Sequence, residues 1–114
     1  MKISNKRVVV TGAASGIGAA LCHAFKEAGA KSIICVDINL AGAKDTANST
    51  DGIALQADVA SEKDIINVIS KANEVSGGID IFCSNAGIGG VPGFFEAKTE
   101  YNLQKATNSS DTQL

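Results

Sequence analysis

The sequence is poor in aromatic residues and carries no excess of basic charge. Its 114 residues include no tryptophan, one tyrosine, one proline and one histidine, and the net charge is −2. Without a cluster of Lys and Arg, the chain lacks the electrostatic footprint of a protein that binds nucleic-acid phosphates. No apolar run is long enough to cross a membrane or to act as an export signal, so we expect a cytoplasmic protein with no membrane partner.

Cysteine is also scarce, and its distribution argues against a metal site or a disulfide framework. Cys22, Cys35 and Cys83 are odd in number and far apart, they form no Cys-x-x-Cys pair, and His23 is the one histidine. We therefore expect no bound metal. The pattern predicts three buried, reduced thiols. Neighbouring helix positions point in different directions, which favours a surface role for His23 over a catalytic pair with Cys22.

What the sequence does contain is an alternation of short apolar runs with helical patterns. The hydrophobic fraction is 45% and the aromatic fraction 4%, which suits a buried parallel sheet of Val, Ile and Ala. Strands are predicted near Arg7 to Val10, Ser32 to Val36, Gly52 to Gln56 and Ile79 to Cys83. Helices are predicted from Gly16 to about Ala28, Leu40 to Ala47 and Ser61 to about Val75. Their inward faces are predicted to be Ile17, Leu21, Ala24, Phe25 and Ala28 in the first helix, and Ile65, Val68, Ile69, Ala72 and Val75 in the third.

This alternation predicts an α/β fold, namely a Rossmann-like parallel sheet with helices on both faces. The fourth strand is expected beside the first, so that a ligand crevice opens where the strand order reverses. We expect the sheet to be truncated after about four strands. Residues 1–95 then form a nucleotide-binding half-domain, and residues 96–114 form a polar, poorly ordered tail.

The strongest local signal is the glycine-spaced turn that follows the first strand. Gly12 permits a tight turn, Gly16 lets the backbone approach a pyrophosphate, and Gly18 lets the next helix pack closely on the sheet. The start of that helix is a ready anion site because its first N–H groups lack helical partners. No lysine follows Gly18, so this is not a P-loop. The candidate cofactor-binding residues of the turn are Gly12, Ser15, Gly16, Ile17 and Gly18.

Asp37 ends the second predicted strand, about 20 residues after the glycines, where a dinucleotide-binding chain places the acid that binds ribose hydroxyls. A 2′-phosphate would meet this negative charge, and no Arg or Lys stands at positions 13–15 or 38–39 to offset it. The sequence therefore favours NAD over NADP. The alternative is that Asp37 is a solvated turn residue.

Two further groups of residues follow predicted strands and border the expected crevice. The segment Ala57-Asp58-Val59 comes after the third strand, and Asn85-Ala86-Gly87 comes after the fourth. Alone, Asp58 would be an ordinary residue before a helix and Asn85 an ordinary turn former. Positions at the carboxyl ends of parallel strands favour a role in the cofactor site, and the candidates are Asp58, Val59, Asn85, Ala86 and Gly87.

Taken together, Thr11-Gly12-x-x-x-Gly16-Ile17-Gly18, Asp37, Asp58-Val59 and Asn85-Ala86-Gly87 resemble the N-terminal half of the short-chain dehydrogenase/reductase family. The resemblance covers about the first 95 residues. It implies that Asp37 binds the adenosine ribose, that Asp58 and Val59 border the adenine, and that Asn85-Ala86-Gly87 shapes the central strand beside the cofactor. Ser84 is a small departure, since many members have a second Asn there.

The resemblance also implies hydride transfer between a nicotinamide and an alcohol or carbonyl, using a Ser and a Tyr-x-x-x-Lys pair. Tyr101 and Lys105 have that spacing, which places both on one helical face. They come too soon after Asn85 for a fifth strand, its Ser and a long helix to intervene, so we interpret them as a decoy. No residue is assigned as catalytic, and we expect a fragment that is inactive alone, from a truncated gene model, a frameshift or a premature stop.

Three functions stay open at this point. The first is an NAD-dependent short-chain oxidoreductase represented by its cofactor-binding half, and the second is a non-catalytic NAD-binding module that needs a partner. The third is a Rossmann-like enzyme with another adenosine ligand, such as a methyltransferase. A chain ending after four strands would leave the strand near Ile79 to Cys83 as an open apolar edge, which predicts self-association.

Overall fold

A computed structural model describes residues 2–85 and a strand at 93–96. The elements are β1 (Arg7–Thr11), α1 (Gly16–Glu27), β2 (Ser32–Asp37), α2 (Leu40–Thr50), β3 (Ile53–Gln56), α3 (Glu62–Ser76), β4 (Ile81–Ser84) and β5 (Gly93–Glu96). The strands form a single five-stranded sheet in the order β3-β2-β1-β4-β5. The first four strands are parallel, and β4 lies beside β1 as predicted. The Rossmann-like α/β fold is confirmed.

The sheet is held by β-branched residues that alternate between its two faces. In β1, Val8 and Val10 face one hydrophobic core and Val9 faces the other. The first core also contains Cys22 and Phe25 of α1, whereas the second contains residues of α3. Helices therefore cover both faces of the sheet, which explains why its strands are continuously apolar.

Polar side chains fix where each helix begins. Ser15, Asn39 and Ser61 are the N-caps of α1, α2 and α3, and each accepts a hydrogen bond from a backbone N–H of the first turn. The capping role expected of Ser61 is confirmed. At its other end α2 continues past the predicted Ala47 to Thr50 and ends at Asp51, which has a left-handed backbone with φ of 54°. The extension carries no apolar stripe, so the hydrophobic pattern could not reveal it.

The predicted inward faces of α1 and α3 are partly wrong. Ile17 is 58% exposed and Val75 is 41% exposed. Ala24 and Ala28 are exposed as well, whereas the buried residues of α1 are Gly18, Cys22 and Phe25. The buried stripe is centred on Cys22 and Gly18 because the helix approaches the sheet through its glycine.

The sequence also missed a strand. Residues 93–96 form β5, which pairs antiparallel with β4 in a register that sets Phe82 opposite Phe95. The expectation that the fourth strand is an open edge is therefore wrong, since its outer side is hydrogen-bonded to β5. Self-association stays a prediction, but an open edge at the fourth strand no longer supports it.

The amino ends of β1 and β4 are joined by an ion pair that the sequence did not predict. The Arg7 guanidinium donates to both carboxylate oxygens of Asp80, at 2.8 and 3.0 Å, and to the carbonyl oxygen of Gly77 at 2.6 Å. The backbone N–H of Arg7 donates to the same carboxylate at 2.8 Å. Hydrogen bonding from the Arg7 side chain lowers the pKa of Asp80 to about 2.

The three cysteines are free and buried, as predicted. The sulfur atoms of Cys22 and Cys35 lie 3.7 Å apart in the core between α1 and β2. His23 is exposed, also as expected, and its Nε2 lies 3.3 Å from the hydroxyl of Ser49. Within residues 2–85 and 93–96, no group of His, Cys, Asp and Glu side chains is arranged to hold a metal ion. None of the described helices is long and apolar enough to cross a membrane.

Candidate functional site

The carboxyl ends of the parallel strands converge on a pocket at one edge of the sheet. Its volume is about 220 Å³, and its lining residues are Gly12, Asp37, Ile38, Ala57, Asp58 and Val59. Pockets that enclose a whole drug-sized ligand measure roughly 300–1,000 Å³. This pocket therefore suits one part of a larger, extended ligand.

The glycine turn beside the pocket owes its shape to two different constraints. Gly12 has a φ of 68°, in the left-handed region that disfavours residues with a side chain. Gly18 lies against it so closely that an added Cβ would overlap the Gly12 carbonyl oxygen. The predicted packing role of Gly18 is thus visible in the geometry.

Gly16 is different, because a Cβ added there would meet nothing within 4 Å. It is the first residue of α1 and is exposed, as is Ile17 beside it. Open space therefore faces the start of the helix, where backbone N–H groups have no intrahelical acceptor. A phosphate can approach the backbone at this position without a steric obstacle.

Asn85, which follows β4, connects the glycine turn to the sheet through hydrogen bonds. Its side-chain amide donates to the hydroxyl of Ser15 at 3.0 Å and to the carbonyl oxygen of Gly12 at 3.3 Å. Its backbone N–H donates to the hydroxyl of Thr11 at 3.1 Å. The Ser15 hydroxyl in turn donates to Gly12 at 2.7 Å. Asn85 is 9% exposed, so it supports the turn and does not line the pocket.

Asp37 is anchored by backbone donors on two sides. Its Oδ2 accepts from the N–H of Ala14 in the glycine turn at 2.9 Å. Its Oδ1 accepts from the N–H of Asn39 at 2.9 Å. The contact with Asn39 fits the alternative that Asp37 is a turn residue after β2. The contact with Ala14 in addition joins Asp37 to the glycine turn. A carboxylate has about four acceptor positions, so each oxygen can accept a further hydrogen bond from a ligand.

Asp58 and Val59 form the opposite side of the pocket, where the chain turns into α3. The Oδ1 of Asp58 accepts from the N–H of Ala60 at 2.9 Å, and its own N–H donates to Asp64 at 2.8 Å. This accounts for the helix-approach role that the sequence allowed. Asp58 is nevertheless exposed and lines the pocket.

The electrostatic character of the pocket is set by Asp37 and Asp58. None of the described residues that line the pocket is Lys or Arg. The two carboxylates disfavour an additional phosphate beside them, because like charges repel strongly where water is partly excluded. Uncharged hydroxyl or amino groups are better partners here.

The structure brings most of the predicted residues into one region. Gly12, Asp37, Asp58 and Val59 share the pocket, while Ser15, Gly16, Ile17 and Gly18 form the adjoining start of α1. Ala86, Gly87, Tyr101 and Lys105 lie outside the described residues.

Sequence reasoning missed two residues of this region. Ile38 lines the pocket together with Ala57, and Thr46 of α2 contacts the glycine turn. Ile38 is adjacent to Asp37, so its position could have revealed it. Nothing in the local pattern distinguishes Thr46.

Comparison with known proteins shows a family match. The family model described as short chain dehydrogenase matches residues 6–110. The NAD-dependent glycerol dehydrogenase of Listeria innocua is 39% identical over 89 residues, which are 75% of this chain and 34% of that protein.

Solved structures agree with this match. A hydroxysteroid dehydrogenase from Escherichia coli has a TM-score of 0.72 and 31% identity, over 78% of this chain and 40% of that one. A 3-ketoacyl-(acyl-carrier-protein) reductase from Brucella melitensis, complexed with NADH, has a TM-score of 0.67 and 32% identity, over 70% of this chain and 34% of that one. The chain thus spans about a third to two fifths of these proteins.

Proposed function

The chain belongs to the short-chain dehydrogenase family, and on that premise we propose that its described residues bind NAD as part of an oxidoreductase. The bound nicotinamide supplies hydride transfer to or from an alcohol or carbonyl group. The role of the described residues is to bind and orient the dinucleotide at the carboxyl edge of β1, β2 and β3. The single observation that carries the proposal is the pocket that unites Gly12, Asp37 and Asp58.

The glycine turn is suited to the pyrophosphate. The start of α1 offers backbone N–H donors and the positive end of a helix dipole, and the open space at Gly16 leaves room for phosphate oxygens. Gly18 and Asn85 hold this turn against the sheet. The anion site therefore needs no basic side chain.

Asp37 is placed to bind the ribose of the adenosine. Its two oxygens are each fixed by one backbone N–H, so the carboxylate is oriented before the ligand arrives. Both ribose hydroxyls can donate to the remaining acceptor positions. A 2′-phosphate in the same place would lose those hydrogen bonds and face a negative charge, so NAD is preferred over NADP.

The remaining part of the pocket is suited to the adenine ring. Ile38, Ala57 and Val59 offer apolar surface, and Asp58 offers a carboxylate that can accept from an amino group. The substrate and the acid/base residues belong to the activity of the whole protein, which is about twice as long in the relatives aligned above.

Cofactor preference at Asp37 tests the proposal. Asp37→Asn removes the charge but keeps one acceptor, and we expect it to weaken NADH binding by about tenfold or more, since hydrogen bonds to charged groups contribute about 1.5–3 kcal/mol. NADPH binding should weaken less or improve, because the repulsion is removed. Dissociation constants for both cofactors are measured by calorimetry.

Asp45→Asn is the matched control. It makes the same change in charge at an exposed position of α2 outside the pocket. It should leave both dissociation constants unchanged. Equal effects of the two substitutions, or an unchanged ratio of NADH to NADPH affinity in Asp37→Asn, would contradict the proposal.

A further inference from the structure

Thr46 contacts the glycine turn from the middle of α2, although it lies far from the turn in sequence. Its hydroxyl donates to the carbonyl oxygen of Ala13 at 2.8 Å. Thr46 is 6% exposed and Ala13 is fully buried, so water cannot replace this hydrogen bond. Loss of the hydroxyl would leave a buried carbonyl group without this donor.

The same turn is fixed by two further hydrogen bonds on its other sides. The N–H of Ala13 donates to the carbonyl oxygen of Val36 at 3.0 Å, and the N–H of Ala14 donates to Asp37 at 2.9 Å. Three neighbouring backbone groups thus join the turn to β2, to the Asp37 carboxylate and to α2. Among these three hydrogen bonds, the one from Thr46 comes from a side chain of α2.

Close packing makes this contact sensitive to the position of α2. A Cβ added to Gly42 would lie 2.5 Å from the Cβ of Ala14, so the first turn of the helix already rests on the glycine turn. The cap of the same helix, Asn39, donates its N–H to Asp37. The helix therefore touches both the turn and the carboxylate.

We propose that Thr46 is a positioning residue for the cofactor, which sets the distance between the phosphate-binding turn and the Asp37 carboxylate by holding Ala13. This inference rests on the proposed function, because it assigns a role within the same NAD site. Thr46 does not line the pocket, so it acts through Ala13 and Ala14.

The test compares Thr46→Val, which removes the hydroxyl while keeping the shape, with Thr50→Val. Thr50 is also buried in α2, but its hydroxyl donates to the helix's own carbonyl group at Thr46, at 2.8 Å. The control thus makes the same chemical change without a contact to the turn. Thr46→Ser keeps the hydroxyl, and its comparison with Thr46→Ala isolates the hydroxyl if the valine variant does not fold.

Two measurements are made on each variant of the 114-residue chain. Amide hydrogen exchange at Ala13 and Ala14 reports on the turn without any ligand, and an NADH titration reports on the site. We expect Thr46→Val to accelerate exchange at both amides and to weaken NADH binding by about tenfold, because a buried acceptor loses its donor. Thr50→Val should change neither by more than about twofold, because its hydroxyl bonds within α2 and not to the glycine turn. Thr46→Ser should restore both properties.

Unchanged exchange and unchanged NADH affinity in Thr46→Val would overturn the inference, as would an equal loss of affinity in Thr50→Val or Thr46→Ser. Failure of the wild-type chain to bind NADH is a separate outcome. It would contradict the proposed function, and the inference about the cofactor would fall with it. The exchange data would still decide whether Thr46 holds the turn.

Discussion

Gly18 in α1 lies directly against the carbonyl group of Gly12, with no room for a methyl group between the two residues. The contact joins the start of the helix to the end of β1. Because the neighbouring atom belongs to the backbone, it cannot move aside as a flexible side chain would. The shape of the glycine turn therefore depends on close packing at Gly18.

The first prediction is that Gly18→Ala destabilises the fold whereas Gly16→Ala does not. At Gly18 the methyl group would overlap backbone atoms of Gly12. Overpacking of this kind typically lowers the free energy of unfolding by about 1–3 kcal/mol. At Gly16 the methyl group enters open space, so the change should stay within about 0.5 kcal/mol. Urea denaturation of both variants measures the difference.

For NADH binding we expect the reverse order, with the larger direct effect at Gly16. A methyl group at Gly16 occupies the space that we assign to the pyrophosphate, so Gly16→Ala should weaken NADH binding in a chain of normal stability. A destabilised Gly16→Ala variant would contradict the open space at this position. A stable variant that binds NADH normally would contradict the assignment of that space to the pyrophosphate.

The second prediction concerns the amide of Asn85. Asn85→Asp would replace a donor by an acceptor opposite the Gly12 carbonyl oxygen and the Ser15 hydroxyl. We expect the free energy of unfolding to fall by about 1–3 kcal/mol, because the buried Gly12 carbonyl oxygen would face another acceptor in place of one of its donors. Asn48→Asp, at an exposed position of α2, is the control and should have little effect. If both variants unfold at the same urea concentration as the wild type, Asn85 does not support the turn.

The third prediction is a loss of stability in acid that depends on Asp80. Its pKa is lowered to about 2 in the folded chain, first by hydrogen bonding from the Arg7 side chain. The unfolded value is about 3.9, so the ion pair stabilises the fold above that pH and ceases to do so as the pH falls through the folded pKa. The stability difference between the wild type and Asp80→Asn should therefore shrink by about 2 kcal/mol between pH 5 and pH 2.

An exposed ion pair provides the control for this experiment. Lys26 and Asp51 lie 3.1 Å apart, but the Asp51 side chain is 84% exposed. Asp51→Asn should change stability by no more than about 0.5 kcal/mol, and with little dependence on pH. Asparagine also tolerates the left-handed backbone at this position. A pH profile of Asp80→Asn parallel to that of the wild type would contradict the assignment.

The fourth prediction is that the three thiols are protected from chemical modification in the native chain. All three are buried, and burial raises the pKa of Cys83. The hydrogen bond with Cys35 and then, as a smaller cause, burial raise the pKa of Cys22, whereas that hydrogen bond lowers the pKa of Cys35, so the Cys35 thiol is protected by its burial alone. Since the thiolate is the reactive form, modification by a thiol reagent at pH 7 should be at least about tenfold slower in the folded chain than in urea. Rapid modification of one thiol in the folded chain would show that the core opens there.

Much of the fold was predictable because the decisive signals are local. The Val8 to Val10 run and its partner from Ile33 to Val36 specify buried parallel strands, and the spacing from Gly12 to Asp37 locates the crevice between them. Ser61 marks the start of α3 through its capping side chain. Each signal depends on a few neighbouring residues, so it can be recognised without knowledge of the tertiary structure.

The features that escaped prediction depend on contacts between distant segments. The hydrogen bond from Thr46 to Ala13 and the ion pair of Arg7 with Asp80 join residues that no local pattern relates. Ile17 fits the apolar period of α1 but is exposed, because the helix approaches the sheet through Gly18 instead. Tertiary packing decided these positions.

An NADH titration of the isotope-labelled 114-residue chain, followed by residue-resolved NMR, tests the central claim most directly. We expect the amide signals of Gly12, Gly16, Asp37 and Asp58 to shift together with one dissociation constant, while those at the opposite edge of the sheet, such as Arg7, stay in place. A folded chain whose signals do not move with NADH, or whose shifts cluster at the opposite edge, would contradict the assignment of this pocket to the cofactor.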